Sequence, residues 1–492
     1  MSKKYPRIVI AGLRGGSGKT TLSLGLIASL AGKGKKIVPF KKGPDYIDAG
    51  WLSTAAQRPC YNLDPFLTGS EAVLASFTRH FPGADMAVIE GNRGLYDGMD
   101  ADGTYSTAEL AKMLAAPVVL IMDCTKVTRT AGAMVCGMLQ FDRKVDIRGV
   151  VLNQIAGGRH EKVIRETIEK YCGIPVLGAL PKQRQDLLSE RHMGLTPFQE
   201  HPGVDAAIAA VATFVSGHVD VDRIYEIAQR AKPLKDTGTM DRESVRANPG
   251  SAVIPGRDPL TIGVIRDAAF QFYYPENFEE LVGAGARLVE ISALTQRQLP
   301  EIDVLYIGGG FPETNAIGLA KNRSFRQSLK KEIDKGLPVY AECGGLMYLG
   351  QTLTLKGRKY PMAGILPLDF EMANKPAAHG YTVVKITGQN PFYRRGTVLK
   401  GHEFHYSHLA TGVENGRDQD GVHFAFSMQR GVGIIGNKDG ICYKNVLATY
   451  THLHAYGSPQ WAAGMIRAAL SYRKEKERHV TTGRSHTAAR RK

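Results

Sequence analysis

The sequence predicts an α/β fold in two domains, the first built on a mostly parallel sheet. Three observations predict it. Short apolar runs alternate with helix-patterned segments. A glycine-rich turn joins the first strand to the first helix. A second series of strands starts beyond a polar stretch near residue 232. Strands alternating with helices give parallel sheets covered on both faces, because each crossover lays a helix against the sheet.

In chain order, residues 7–12 form a short apolar strand, 20–33 a helix and 36–41 a second strand. Further apolar runs at 86–90, 118–123, 150–153 and 176–180 each end in a turn or polar residue, with helix patterns at 106–114, 130–140 and 161–171. Residues 1–231 are predicted to be the first domain. The stretch 232–258 mixes Pro, Gly, Asp, Arg, Ser and Asn without periodicity and is predicted to be a linker. The second domain, 259–472, opens with strands at 261–265, 304–307 and 338–341. Residues 473–492 carry eight Lys or Arg against two Glu and lose apolar periodicity. They are predicted to be a solvated basic tail, disordered past Val480.

Composition narrows the function classes. Of 492 residues, 43% are hydrophobic and 22% charged, ordinary values for a globular protein. The longest apolar runs, such as 116–122, are too short to span a bilayer, and the N-terminus lacks a secretory leader. A cytoplasmic protein without a membrane partner is expected. The six cysteines are scattered without CxxC spacing, which predicts reduced thiols and no zinc site. The net charge of +16 comes with no nucleic-acid-binding motif and suits small anionic ligands instead.

Gly12-Leu13-Arg14-Gly15-Gly16-Ser17-Gly18-Lys19-Thr20-Thr21 follows a strand and opens a helix. Glycines there let backbone N–H groups turn toward a phosphate, the helix N-terminus adds positive potential, and a lysine reaches the terminal phosphates. The hydroxyl after the lysine is a magnesium ligand in such loops. The loop is one residue longer than the common pattern, with Leu13 where its first glycine belongs. Two acidic segments also follow strands, where open sheets place ligands. They are Lys41-Lys42-Gly43-Pro44-Asp45-Tyr46-Ile47-Asp48 and Glu90-Gly91-Asn92-Arg93-Gly94-Leu95-Tyr96-Asp97-Gly98. Asp45 and Asp48 equally suit the capping of turns and helices.

In the second domain, Glu342-Cys343-Gly344-Gly345 follows an apolar strand and precedes a helix-like run. Small residues around a nucleophile permit the strained turn that exposes it. The Gly344 N–H is placed to bind an oxyanion, and the helix dipole is expected to favour thiolate. Upstream, the glycine run Gly308, Gly309 and Gly310 offers a second donor. Cysteine attack on an amide needs a base. His452 and His454 are candidates, as are His402, His405 and His408.

These segments, in this order, resemble the cobyrinic acid a,c-diamide synthase family of glutamine-dependent tetrapyrrole amidotransferases. The resemblance spans roughly residues 5 to 470 and rests on the long phosphate loop, the Lys41 to Asp48 and Glu90 to Gly98 segments, Gly308 to Glu313, Glu342 to Gly345, Gly401 to Ser407, and Tyr450 to His452. It implies a dethiobiotin-synthetase-like ATP domain followed by a class I glutaminase-like domain. It implies that Cys343 attacks glutamine, that His452 activates it, and that Gly309 and Gly344 bind the oxyanion. Gly16, Ser17, Gly18, Lys19, Thr20, Thr21, Lys41 and Asn153 would bind ATP, and Thr20, Asp45 and Glu90 magnesium. Asp45, Tyr46, Ile47, Asp48, Arg93 and Asp97 would line the side of a tetrapyrrole polycarboxylate. ATP would phosphorylate a substrate carboxylate, and ammonia from glutamine would displace the phosphate. Class I glutaminases often carry Glu two residues after the histidine; here His454 stands there, leaving the third member unassigned. Asn92-Arg93 replaces the two apolar residues expected between Gly91 and Gly94, so siroheme or sirohydrochlorin amidation stands as an alternative. An ATPase switch with a non-catalytic second domain is a further one, and a homodimer is compatible with the sequence.

Overall fold

The computed structural model describes residues 4–183, 188, 190–191, 194–234, 258–411 and 421–489. The chain divides into two compact units, Met1–Met240 and Asp241–Lys492. Most of the expected linker lies outside the described residues. Its first residues belong to the first unit: Leu234 is buried there, and the Lys232 carbonyl accepts a hydrogen bond from buried Arg7 at 2.6 Å.

The first unit is a seven-stranded parallel sheet with order β3-β2-β4-β1-β5-β6-β7. The strands are β1 Arg7–Gly12, β2 Ile37–Lys42, β3 Tyr61–Leu63, β4 Met86–Gly94, β5 Val118–Asp123, β6 Ile147–Ile155 and β7 Val176–Pro181. β1, β2 and β4 are apolar along most of their length because helices cover both faces. One face packs on Phe40, Phe77, Leu110 and Ile164, the other on Leu22, Leu26, Trp51 and Val211. Two helices matter for the site, α1 Lys19–Gly32 after β1 and α2 Ile47–Ala56 after β2. Register places Lys41 of β2 opposite Glu90 of β4, and Ile10 of β1 opposite the same Glu90. Three chain segments thus deliver their functional residues to one end of the sheet.

The second unit has a ten-stranded sheet of mixed direction. Arg287–Ile291, Thr261–Ile265, Val304–Ile307, Val339–Glu342 and Val446–Thr449 run parallel. The sheet then continues antiparallel through Lys438–Tyr443, Val422–Arg430, Ala378–Ile386, Val398–His405 and His452–Leu453. A four-stranded sheet packs nearby. The sequence pattern predicts only the parallel part.

The basic tail is corrected. The last helix spans Gln460–Ala489, running through Arg473 and past Val480. Trp461, Met465, Ile466 and Ala469 are buried at its start. Arg473 then pairs with Asp303 and donates to the Asp258 and Pro259 carbonyls at 2.7 and 2.9 Å, and Lys476 pairs with Glu301. No Gly or Pro interrupts residues 465–482, so the helical period continues once its base is anchored. Among the described residues no helix is long and apolar enough to cross a membrane.

Candidate functional site

The loop between β1 and α1 turns on two left-handed glycines, Gly16 (φ 72°) and Gly18 (φ 98°). A Cβ on Gly18 would lie 2.3 Å from Asn153 Nδ2, so only glycine fits. Asn153, expected at the nucleotide, braces this loop: its Nδ2 donates to the Ser17 carbonyl at 3.0 Å. The Ser17 hydroxyl is engaged within the loop, donating to the Arg14 carbonyl at 3.0 Å. Lys19 folds back to donate to the same carbonyl at 3.3 Å, and burial together with nearby Lys41 lowers its pKa.

Lys41 is the centre of the charge cluster. Its side chain is 2% exposed, and Nζ donates at 2.7 Å to both Asp48 Oδ2 and Glu90 Oε1, with Asp45 Oδ2 at 3.8 Å. Burial works against its charge, yet Asp48, Glu90 and Asp45 outweigh it and hold the ammonium well above the usual lysine range. Glu90, fully buried, also accepts from Thr20 Oγ1 at 2.8 Å, while its Oε2 has no hydrogen-bond partner among the described residues. Burial, opposed by Lys41, pushes its carboxyl up. Asp45 is pushed up to about 7 by burial and by Asp48. Its side chain keeps 31% of its surface, so water screens part of that effect. Asp45 also accepts the Asp48 N–H at 2.9 Å, so it shapes the start of α2 as well.

The structure therefore gathers Thr20, Lys41, Asp45, Asp48 and Glu90 into one cluster, with Tyr46 and Ile47 on the same turn. Thr21 lies beside Thr20 in the first turn of α1. Asp97 does something more local, closing the turn after β4 by accepting the Gly94 N–H at 2.8 Å. Arg93 is exposed in a left-handed conformation (φ 50°) and forms no hydrogen bond or ion pair among the described residues. Asn62 lies outside the segments singled out in the sequence, and Arg14 and Lys42 stand within them without an assigned part. Asn62 donates to the Gly43 and Asp45 carbonyls at 2.7 and 2.9 Å and so holds the Gly-Pro-Asp turn. Arg14 pairs with Asp123 at 2.7 Å. Lys42 is buried near Asp64 and Arg93, and burial lowers its pKa. Among the described residues no group of three or more His, Cys, Asp or Glu is placed to cage a metal.

In the second unit, Cys343 sits between the strand Val339–Glu342 and the helix Gly344–Leu349. Its backbone is strained, with φ 46° and ψ −97°. The turn is possible because its neighbours are small: a Cβ on Gly345 would lie 2.7 Å from the Ile307 carbonyl oxygen. The glycine run after Val304–Ile307 packs against His452 and against the backbone that follows Cys343. A Cβ on Gly309 would be 2.4 Å from His452 Cε1, and one on Gly344 3.0 Å from the Gly310 nitrogen. The Gly310 nitrogen therefore lies beside the elbow.

The expected thiolate is not favoured. Burial, with Glu313 adding to it, pushes the Cys343 thiol well above the usual range, and the following helix is only six residues long. A neutral thiol needs a base. His452 is buried, stacks on His402 with centroids 4.9 Å apart, and presents Nδ1 3.4 Å from Glu342 Oε2. The other histidines are occupied differently. Burial and His452 push His402 well below the usual imidazole range. His405 stacks on Tyr450 at 3.6 Å, His408 lies on an exposed strand, and His454 lies 3.6 Å from buried Glu276.

Comparison with known proteins matches both units. Residues 8–195 match the CobQ/CobB/MinD/ParA nucleotide binding domain family, and residues 261–460 the CobB/CobQ-like glutamine amidotransferase domain family. The chain is similar to the cobyrinate a,c-diamide synthase of Magnetococcus marinus, at 42% identity over 95% of this chain and 98% of that protein. It is similar to the proteins of that name from Archaeoglobus fulgidus, at 40% over 94% and 98%, and Dehalococcoides mccartyi, at 38% over 95% and 99%. A second unit that matches a glutamine amidotransferase along its length speaks against an ATPase switch with a non-catalytic partner. With a phosphate-binding loop in one unit, a cysteine elbow in the other and relatives alike from end to end, the chain belongs to the cobyrinate a,c-diamide synthase family of glutamine amidotransferase ligases.

Proposed function

We propose that the protein amidates the a and c side-chain carboxylates of cobyrinate, in cobalamin synthesis, with glutamine as nitrogen donor and ATP as activator. The observation that carries this is Cys343 on a strained turn in a unit where His452 packs on Gly309, in one chain with the Lys41–Glu90–Thr20 cluster. The relatives' shared name supports the substrate.

In the second unit Cys343 attacks the glutamine carboxamide while His452 takes its proton and returns it to the departing ammonia. The Gly344 and Gly310 amides, with Gly309 beneath the imidazole, cradle the oxyanion. Water then hydrolyses the thioester to glutamate. In the first unit a substrate carboxylate attacks the terminal phosphate of ATP, giving an acyl phosphate and ADP. The freed ammonia displaces phosphate and leaves the amide. Lys19 and Lys41 neutralise the transferring phosphoryl group, so positioning and charge carry this step. Glu90 and Thr20 fit a magnesium ion: a buried, unpartnered carboxylate oxygen sits beside a hydroxyl, and magnesium on a nucleotide needs only one or two carboxylates beyond phosphate and water. Asp45 is the third expected ligand. When bound, the ion offsets phosphate charge. Tyr46, Ile47, Asp48 and Asp97 line the substrate side. Exposed Arg93 forms no hydrogen bond or ion pair among the described residues, Lys42 lies near it and Asp64, and the two supply positive charge for a polycarboxylate. Those cations are also what favours the second reading, a siroheme-type macrocycle.

Purified protein given cobyrinate or a siroheme-type macrocycle, with ATP, magnesium and glutamine, decides between them by product mass. Two amides on cobyrinate are expected. No product from cobyrinate, or a product from siroheme alone, overturns the first reading.

A further inference from the structure

His452 meets a carboxylate that its own strand does not supply. Two residues on stands His454, whose Nε2 lies 3.6 Å from Glu276 Oε1 in a separate buried pair. The carboxylate at His452 comes instead from the residue before the nucleophile. Glu342 ends the strand Val339–Glu342 and is registered opposite Thr449, three residues before His452. Its Oε2 lies 3.4 Å from His452 Nδ1. Two other groups hold it there: Tyr306 Oη donates to Oε2 at 3.2 Å, and the Leu453 N–H donates to Oε1 at 3.3 Å. Glu342, Tyr306 and His452 are all buried.

We infer that Glu342 is the positioning residue of the glutaminase, completing a Cys343–His452–Glu342 triad; this rests on the amidotransferase reading above. A carboxylate at Nδ1 selects the Nδ1–H tautomer and leaves the Nε2 lone pair to act as base. Nε2 is on the glycine-loop side, 3.2 Å from where a Cβ on Gly309 would lie. The thiol proton passes from Sγ to Nε2 as the S–C bond forms, then to ammonia as the C–N bond breaks. Glu342 takes no proton in either transfer and stabilises the imidazolium between them. Burial that holds the Cys343 thiol neutral makes this charge separation costly, and an adjacent buried carboxylate offsets that cost.

Glu342→Gln is the test. Its amide oxygen still accepts from Leu453, but an NH2 turned toward Nδ1 selects the opposite tautomer. Glutamine-dependent kcat is expected to fall about 10²- to 10⁴-fold. KM for glutamine and amidation from ammonium chloride are expected to hold within about threefold, with part of kcat recovered in Glu342→Asp. Glu276→Gln is expected to leave kcat within the same about threefold range. Unchanged kcat in Glu342→Gln, or parallel loss of the ammonia-supported reaction, overturns the role. Cys343→Ser, run alongside, separates the two levels. If it retains glutamine hydrolysis, the amidotransferase reading falls and takes the triad with it. If it abolishes hydrolysis while Glu342→Gln does not, only the triad falls.

Discussion

At the end of the first unit's sheet a lysine ammonium lies among three carboxylates, with a second lysine folded onto the loop beside it. In the second unit the reacting thiol lies among glycines and stacked rings, with one buried glutamate behind the histidine. The contrast follows from the chemistry proposed for each. Phosphoryl transfer moves several negative charges and needs opposite charges already in place. Thioester formation starts and ends neutral, so a dry site with a strained backbone and one base suffices. The first site is set by electrostatics, the second by backbone shape.

The largest predicted effect separates the two sites. Cys343→Ser is expected to lower glutamine-supported amidation by about 10⁴-fold or more, with ammonium-supported amidation unchanged. Equal loss from both nitrogen sources, read as amide product by mass, would mean that the two sites are not chemically independent. Glu90→Gln cuts the other way. It removes a charge shared by Lys41 and Thr20 and is expected to cost about 10²- to 10³-fold in amidation from either source, while glutamine hydrolysis persists. Full amidation activity in this variant would show that the buried carboxylate serves packing alone.

Gly309→Ala probes the claim that shape governs the second site. Its methyl would lie 2.4 Å from His452 Cε1 and must displace the imidazole. A destabilisation of about 1–3 kcal/mol is expected from overpacking, with loss of glutaminase activity. Denaturant unfolding and glutamate release measure the two parts. Gly15, in the phosphate loop, has nothing within 4 Å of the corresponding position, so Gly15→Ala is expected to leave stability nearly unchanged.

The same contrast explains what was legible in the sequence. The phosphate loop is local: strand, glycines, lysine and hydroxyl follow one another, and Arg7–Gly12 is the strand predicted. The elbow is equally local. Glu342 was visible as a neighbour of Cys343, but its contact with a histidine 110 residues away depends on the pairing of Glu342 with Thr449. Asn62 and Arg14 are likewise long-range partners with no local signal. The antiparallel strands of the second unit form no apolar run: in Ala378–Ile386 alternate residues turn inward, and the inward positions include Gly380 and Thr382. Residues 474–478 are exposed, as a basic stretch predicts; the helix is illegible in composition because Asp303, Asp258 and Pro259 anchor Arg473 from far away.

The smallest expected loss concerns a carboxylate that is structural in the second unit. Glu403 is buried and accepts the Val432 and Gly433 N–H groups at 2.6 and 3.0 Å, with His405 Nε2 at 3.9 Å. Burial alone would raise its pKa. His405 and the two backbone donors outweigh burial and hold it below the usual glutamate range. A folded-state pKa below the unfolded one adds stability that is fully present above the unfolded value, and this is lost as pH falls through the folded value. Glu403→Gln is therefore expected to cost about 1–2 kcal/mol near neutral pH, with the difference from the parent shrinking as pH drops below the ordinary glutamate range. Unfolding curves at several pH values measure it. A difference that stays constant with pH would assign the loss to packing and leave the charge of Glu403 without a part in holding the 432–433 turn.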